Sequence, residues 1–346
     1  MINQVQSNEN KSINVIHERM IYRITVISVL CVICVTSIIV STSFGACKIS
    51  FVDVFKALFK YEEGLNRQII WTIRFPRTLV AGLVGMCLAL SGAILQGIMK
   101  NPLASPNIIG VSSGAGIAGI IILILFPSHI NLVTPFSFIG AFVTTMLIYI
   151  LAWQNGVKPM RMILAGVAVS AFLGAMINGL MIFFPDRVQG VVDFMVGGLA
   201  AKTWKHFRII WPYAVTGFIL SMFFSKKLNI LMLGDEMATS LGINVERIRF
   251  ILIAVSSLLA GAAVSIVGLL GFVGLIVPHI TRMIIGSDYR YLLPASALTG
   301  ASLLMLCDTF ARTIIEPVEL PVGIIMAMLG APFFLYLLRG GLRKKC

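Results

Sequence analysis

The chain has 346 residues, 58% of them hydrophobic and 12% charged, with a net charge of +13. A mean hydropathy of +0.97 excludes an ordinary soluble domain and makes this an all-α polytopic membrane protein, because helices that satisfy their own backbone are one of the two structures that cross a bilayer. The positive charge sits in short loops between apolar runs, with no interleaved aromatics, so it suits the lipid bilayer and acidic partners and not nucleic acid.

Residues 1–23 are polar and read as a disordered cytoplasmic tail, without the short charged start of a signal peptide. About ten apolar spans follow, near 24–44, 78–99, 108–126, 135–153, 162–184, 209–224, 250–268, 272–285, 292–310 and 322–338. Residues 24–338 form one transmembrane domain, and a basic cytoplasmic tail, 339–346, closes the chain. Between spans one and two, Phe51, Val54, Phe55, Leu58 and Phe59 recur at helical spacing and predict a helix lying along the outer surface. The Gly-rich connection 185–208 predicts a short helix near 191–196. With the amino terminus inside, inner segments hold 16 of the 27 Lys and Arg, which places both termini in the cytoplasm. Cys31 and Cys34 form a C-x-x-C inside the first span, away from the water that redox or zinc chemistry needs.

The stretch from Arg74 to Gly116 is the most informative. Arg74-Phe75-Pro76-Arg77 opens a span rich in small residues, which let helix backbones approach closely in lipid. Ser91, Gln96, Asn101, Ser112 and Ser113 are polar groups in or beside this hairpin. They fit two readings: tight interhelical packing, or a lining for a translocation path. Leu88–Ala93 echoes Leu258–Ala262, and each is followed by a proline-broken stretch ending in Ile-Ile-Gly, at Ile108–Gly110 and Ile284–Gly286. Spans two and seven run in opposite directions, which is the pattern of inverted-repeat transporters.

Intramembrane ionisable groups are few. Asp308 and Arg312 are one helical turn apart and able to pair with each other. His279 follows Pro278 and reads as a packing residue bonded to a backbone carbonyl. No metal-ligand spacing, Walker loop or nucleophile–base set is present, so no metal, no cofactor and no enzymatic activity are expected. The loop 225–249 differs in kind. Leu233-Gly234-Asp235-Glu236-Met237-Ala238-Thr239-Ser240-Leu241-Gly242 reads as a short helix between two glycines. Its two acids favour the helix amino end, and Met237, Ala238 and Leu241 form an apolar face that wants a partner.

Taken together, these motifs resemble the permease subunit of bacterial ABC importers for iron–siderophore, haem and cobalamin chelates, the FecCD type. The resemblance rests on Arg74–Arg77, Leu88–Gln96, Asn101–Pro106, Gly110–Ala115, Leu233–Gly242, Gly271–His279 with Arg282, Asp308, Ala311-Arg312, Glu319–Gly323 and Gly330–Phe334. It implies a type II importer permease of ten spans, in which spans two and five line the path. It also implies a second permease, identical or paralogous, a cytoplasmic ATPase dimer that alone binds ATP, and an extracytoplasmic binding protein. The cargo expected first is an iron–siderophore, and the site is the bacterial cytoplasmic membrane. Leu233, Gly234, Asp235, Glu236, Met237, Ala238, Leu241 and Gly242 would dock on the ATPase as a coupling helix. Arg74, Arg77 and Arg312 would face outward and receive acidic residues of the binding protein. An ion-coupled secondary transporter is the reading from another class, and the scarcity of buried ionisable groups weighs against it.

Overall fold

The computed structural model describes residues 2–45, 54, 64–107, 109–153, 159–315 and 318–343. Ten long helices carry the fold: α1 (Ile2–Ser43), α2 (Phe75–Ile98), α3 (Val111–Leu125), α4 (Val133–Ala152), α5 (Pro159–Phe183), α6 (Trp204–Met232), α7 (Val245–Val267), α8 (Val273–Ile285), α9 (Tyr289–Thr313) and α10 (Val322–Arg343). Seven described helices are long and apolar enough to cross a membrane, and α3, α8 and the apolar part of α10 are the shorter three. The protein is therefore multi-pass.

Helix ends run past the apolar windows. α6 continues through Lys226 and Lys227, and α7 begins before Arg247 and Arg249, because long basic side chains tolerate the membrane edge. α1 starts at Ile2, so residues read from sequence as a tail belong to the helix; extending an existing helix costs far less than starting one. Of the expected surface helix, Phe51, Phe55, Leu58 and Phe59 lie outside the described residues, while Val54 is buried. From Leu65 an α-turn and a π-helical stretch, Ile69–Arg74, run into α2 without a break, so span two begins earlier than its apolar run. The short helix expected near 191–196 is Val188–Val196.

α2 is the axis of the bundle. Its most apolar window is 83% buried, against 11% for those of α1 and α5. No hydrophobic force drives helices together in lipid, so close backbone approach must do so. At Gly85 an added Cβ would lie 2.1 Å from the Gly300 carbonyl oxygen on α9, and at Gly92 1.9 Å from that of Gly274 on α8. Any side chain there would drive the helices apart.

The two halves echo each other. α2 packs on α9 as α7 packs on α4, and α3 on α4 as α8 on α9. α3 and α8 each follow a left-handed residue, Gly110 at φ 78° and Phe272 at φ 66°. Gly110 thus corresponds to Phe272, and the Ile-Ile-Gly part of the sequence echo is not an equivalence: Gly286 caps the carboxyl end of α8, whereas Gly110 precedes α3.

Candidate functional site

Two faces and the middle of the bundle carry the candidate residues. On the loop between α6 and α7, the helix Asp235–Ser240 forms as expected, between Gly234 at φ 119° and Gly242 at φ 78°. Met237 and Leu241 are 56% and 57% exposed, and Leu233 before them is exposed too. Ala238 is 0% exposed, which corrects its place on the apolar docking face. It sits about 100° around the helix from Met237, on the side that packs against α6 and α7. Glu236 is exposed, and Asp235 is half exposed but fully engaged. Lys100 Nζ donates to Asp235 at 3.0 Å, and Arg249 donates through Nη2 to both its oxygens at 3.1 and 3.0 Å. Burial alone would raise the Asp235 carboxyl, but Arg249 and Lys100 outweigh it and hold it below its ordinary value.

At the other end of the spans, the three arginines are placed together, but inside. Arg74, Arg77 and Arg312 are 5%, 6% and 5% exposed. Arg77 grips Asp308 with Nε and Nη2, each at 2.9 Å, and reaches Glu319 with Nη1 at 2.7 Å. Asp308 therefore pairs with Arg77 on α2 and makes no hydrogen bond to Arg312, one turn away on its own helix. Arg312 donates to the Ser41 carbonyl, to Ser41 Oγ at 3.1 Å and to Thr309 Oγ1 at 3.3 Å. Arg74 donates to the carbonyls of Thr42 and Ser43, at 3.3 and 2.7 Å. Ser41 to Ser43 carry orphan carbonyls of the α1 carboxyl end, where the helix dipole favours cations. Arg74 and Arg312 thus cap α1, and both guanidinium groups are spent on buried bonds within the bundle. Beside Arg77 a cavity of about 590 Å³ is walled by Lys202, Lys205, Thr134 and Glu319.

The mid-span polar residues pack between helices. Ser91 Oγ lies 2.7 Å from Ser256 Oγ on α7, and Gln96 Nε2 donates to the carbonyls of Gly274 and Leu275 at 3.4 and 3.3 Å. Neither lines an open path, nor does buried Ser112. Asn101 Oδ1 accepts from the Leu103 amide at 2.9 Å and shapes the turn after α2; Ser113 is half-buried. Span two is enclosed, while α5 presents most of its surface outward, so only the second of the two helices expected along the path has a free face. His279 packs edge-on against Phe333, and its Nδ1 lacks the expected carbonyl partner. Sequence reasoning missed Tyr149, Glu246 and Arg249. Tyr149 OH donates to Glu246 at 2.6 Å, and Arg249 joins Glu246 at 2.9 Å; a tyrosine near the inner end of span four was the available signal.

A paired-half helical bundle with seven candidate spans, a glycine-bounded loop helix at one end and a buried charged network at the other fits a transport permease. The comparisons agree. The FecCD transport family matches residues 31–340. The Fe(3+)-citrate import system permease protein YfmE of Bacillus subtilis is 40% identical over 320 residues, covering 92% of this chain and 96% of its own. The hemin transport system permease protein HmuU of Yersinia pestis is 38% identical over 306 residues, covering 86% and 90%. A solved inward-facing chain of metal-chelate ABC transporter type superposes with a TM-score of 0.82 at 29% identity, covering 91% of this chain and 99% of that one. The chain belongs to the FecCD family of ABC importer permeases, whose relatives are transport components and not enzymes.

Proposed function

We infer that this chain is the membrane subunit that carries an iron–siderophore chelate across a bacterial cytoplasmic membrane, powered by a separate ATPase dimer docked on the loop helix through Leu233, Met237 and Leu241. Both termini lie in the cytoplasm, and a second permease, identical or paralogous, completes the path against the outward surface of α5. The observation that carries this reading is the exposed ridge of Leu233, Met237 and Leu241 on a helix otherwise tied into the bundle. Apolar side chains held clear of both membrane and core need a protein partner.

On the outer face, an acidic residue of a binding protein reaches Arg77 by replacing Glu319, whose side chain is 42% exposed, while Asp308 keeps its two bonds. Charge pairs of this kind steer and orient docking. The iron–siderophore assignment draws on relatives named for Fe(3+)-citrate and iron(3+)-hydroxamate import.

The test has two arms. Met237→Glu with Leu241→Glu leaves the permease in the membrane and releases the ATPase on purification; full co-purification would overturn the docking face. Cells lacking the chain are offered citrate, catecholate and hydroxamate ferric chelates, haem and cobalamin in parallel. Loss of one ferric chelate supports the cargo, and loss of haem or cobalamin uptake instead would replace it.

A further inference from the structure

The helix Asp235–Ser240 hangs between two joints. Gly234 and Gly242 have positive φ, and an added Cβ at either would meet nothing within 4 Å. Open glycine joints turn easily. A force applied to this helix from the cytoplasm would rotate it on its joints and leave the spans behind it still, unless something bypasses them.

Buried Ala238 supplies one contact. The other is Asp235, the first residue beyond the Gly234 joint. Its carboxylate is shared by Lys100, two residues past α2, and by Arg249 in α7. Arg249 is 4% exposed, so its position is set by the bundle. Its Nη1 holds Glu246 at 2.9 Å, and Glu246 accepts from Tyr149 of α4. One carboxylate thus joins the loop helix to α2, α7 and, through Glu246, α4. Lys100 has φ 48°, a left-handed conformation that side chains avoid. Such strain persists where the surroundings over-determine it, and here it directs the ammonium onto Asp235.

We propose that Asp235, with Lys100 and Arg249, is the strut that transmits movement of the docked loop helix to α2 and α7. Asp235 is a positioning residue for transport, not a contact for the ATPase. This rests on the ATPase-docking reading above.

The permease–ATPase complex is purified from cells carrying the unaltered chain, D235N, D235E, K100M or K100M/D235N. ATP hydrolysis by each complex is set against uptake, by the same cells, of radioactive iron supplied as mixed citrate, hydroxamate and catecholate chelates. All variants keep the ATPase and hydrolyse ATP within about twofold. D235N lowers uptake per ATP on the order of tenfold, the scale of one lost charge-assisted hydrogen bond. D235E retains most of it. K100M reduces uptake in the unaltered chain and adds nothing in D235N, because Lys100 acts through Asp235. Shedding of the ATPase by D235N would make Asp235 a docking contact and overturn the strut. Unchanged uptake per ATP in D235N, or losses that multiply in the double variant, would overturn it too. If the unaltered chain holds no ATPase, the docking reading itself fails and takes the strut with it.

Discussion

Replacing Asp308 by asparagine removes one charge from the centre of the outer network and leaves the shape nearly unchanged. Arg77 then keeps its guanidinium, 7% exposed, with one remaining acidic partner, Glu319, which is itself 42% exposed. Breaking a buried pair from one side costs about 3–5 kcal/mol, because the other charge stays desolvated and uncompensated. Glu319→Gln removes a solvated partner and costs roughly 0–1 kcal/mol. A chain of this length loses on the order of 1–3 °C in Tm per kcal/mol, somewhat less than a domain of 150–250 residues. The expected fall is therefore on the order of 3–15 °C for Asp308→Asn and about 0–3 °C for Glu319→Gln. Thermal melts of the detergent-solubilised permease, followed by size-exclusion chromatography, measure both. Removing both charges, as Arg77→Met with Asp308→Leu, recovers most of the loss, since a buried ion pair adds little over well-packed apolar groups. Equal shifts for the two single variants, or a double variant as unstable as Asp308→Asn, would refute a desolvated internal role for Arg77.

Four further outcomes follow from the same geometry. Glu319→Gln leaves Arg77 one partner short and strengthens binding-protein docking in a pull-down at low salt, and weaker docking would count against exchange at this position. Ala238→Glu places a charge where nothing is exposed and lowers the yield of folded permease, whereas Leu241→Glu spares the yield and sheds the ATPase; fluorescence-detected chromatography separates the two. Gly92→Val brings a side chain against the α8 backbone and removes folded protein, while Gly174→Ala, where an added Cβ meets nothing within 4 Å, is tolerated in the same expression assay. The fourth concerns pH. Burial alone would raise the Asp288 carboxyl, but hydrogen bonds from Arg290 and Asn229 pull it down to about 2. A depressed carboxylate contributes stability above its unfolded value of about 4 and loses it as pH falls toward the folded value, so the pair is intact throughout the physiological range. Asp288→Asn should lower Tm by the same amount at pH 8 and pH 5, and a penalty that shrinks at pH 5 would contradict this.

What the sequence could reveal was set by range along the chain. The spans were legible because about 20 apolar residues in a row admit few other structures. Their ends were not, since a helix continues through Lys226 or Arg247 once its backbone is satisfied. The loop helix announced itself through Gly234 and Gly242, and two of the three residues read as its apolar face, Met237 and Leu241, are exposed. Which side Ala238 takes depends on α6 and α7 and not on its neighbours in sequence. Asp308 shows the same limit: a local pair with Arg312 was available, and the fold instead supplied Arg77 from 231 residues away. Ser91 and Gln96 were ambiguous in principle, because a polar group inside a span reads alike whether it faces cargo or another helix. The contact that Ser91 makes in the fold, with Ser256, lies 165 residues on.

The fastening of α1 bears on how the protein is made. This helix touches the bundle with little of its surface and is pinned at two points, at its carboxyl end by Arg74 and Arg312 and near its middle by Asp288 and Ile284 at Arg23 and Tyr22. Arg74 lies 31 residues past Ser43, but the other partners come from the far end of the chain, 271 residues on for Arg312 and 265 for Asp288. At a synthesis rate of roughly 5–20 residues per second, the first helix to leave the ribosome has Arg74 at its end early, and waits on the order of 15–50 seconds before Arg312 and Asp288 exist. A chain cut short before Asp288 should leave it fastened by Arg74 without its later partners, a weakly held hydrophobic segment open to membrane quality-control proteases, so roughly the last sixth of translation decides how well the first segment is kept.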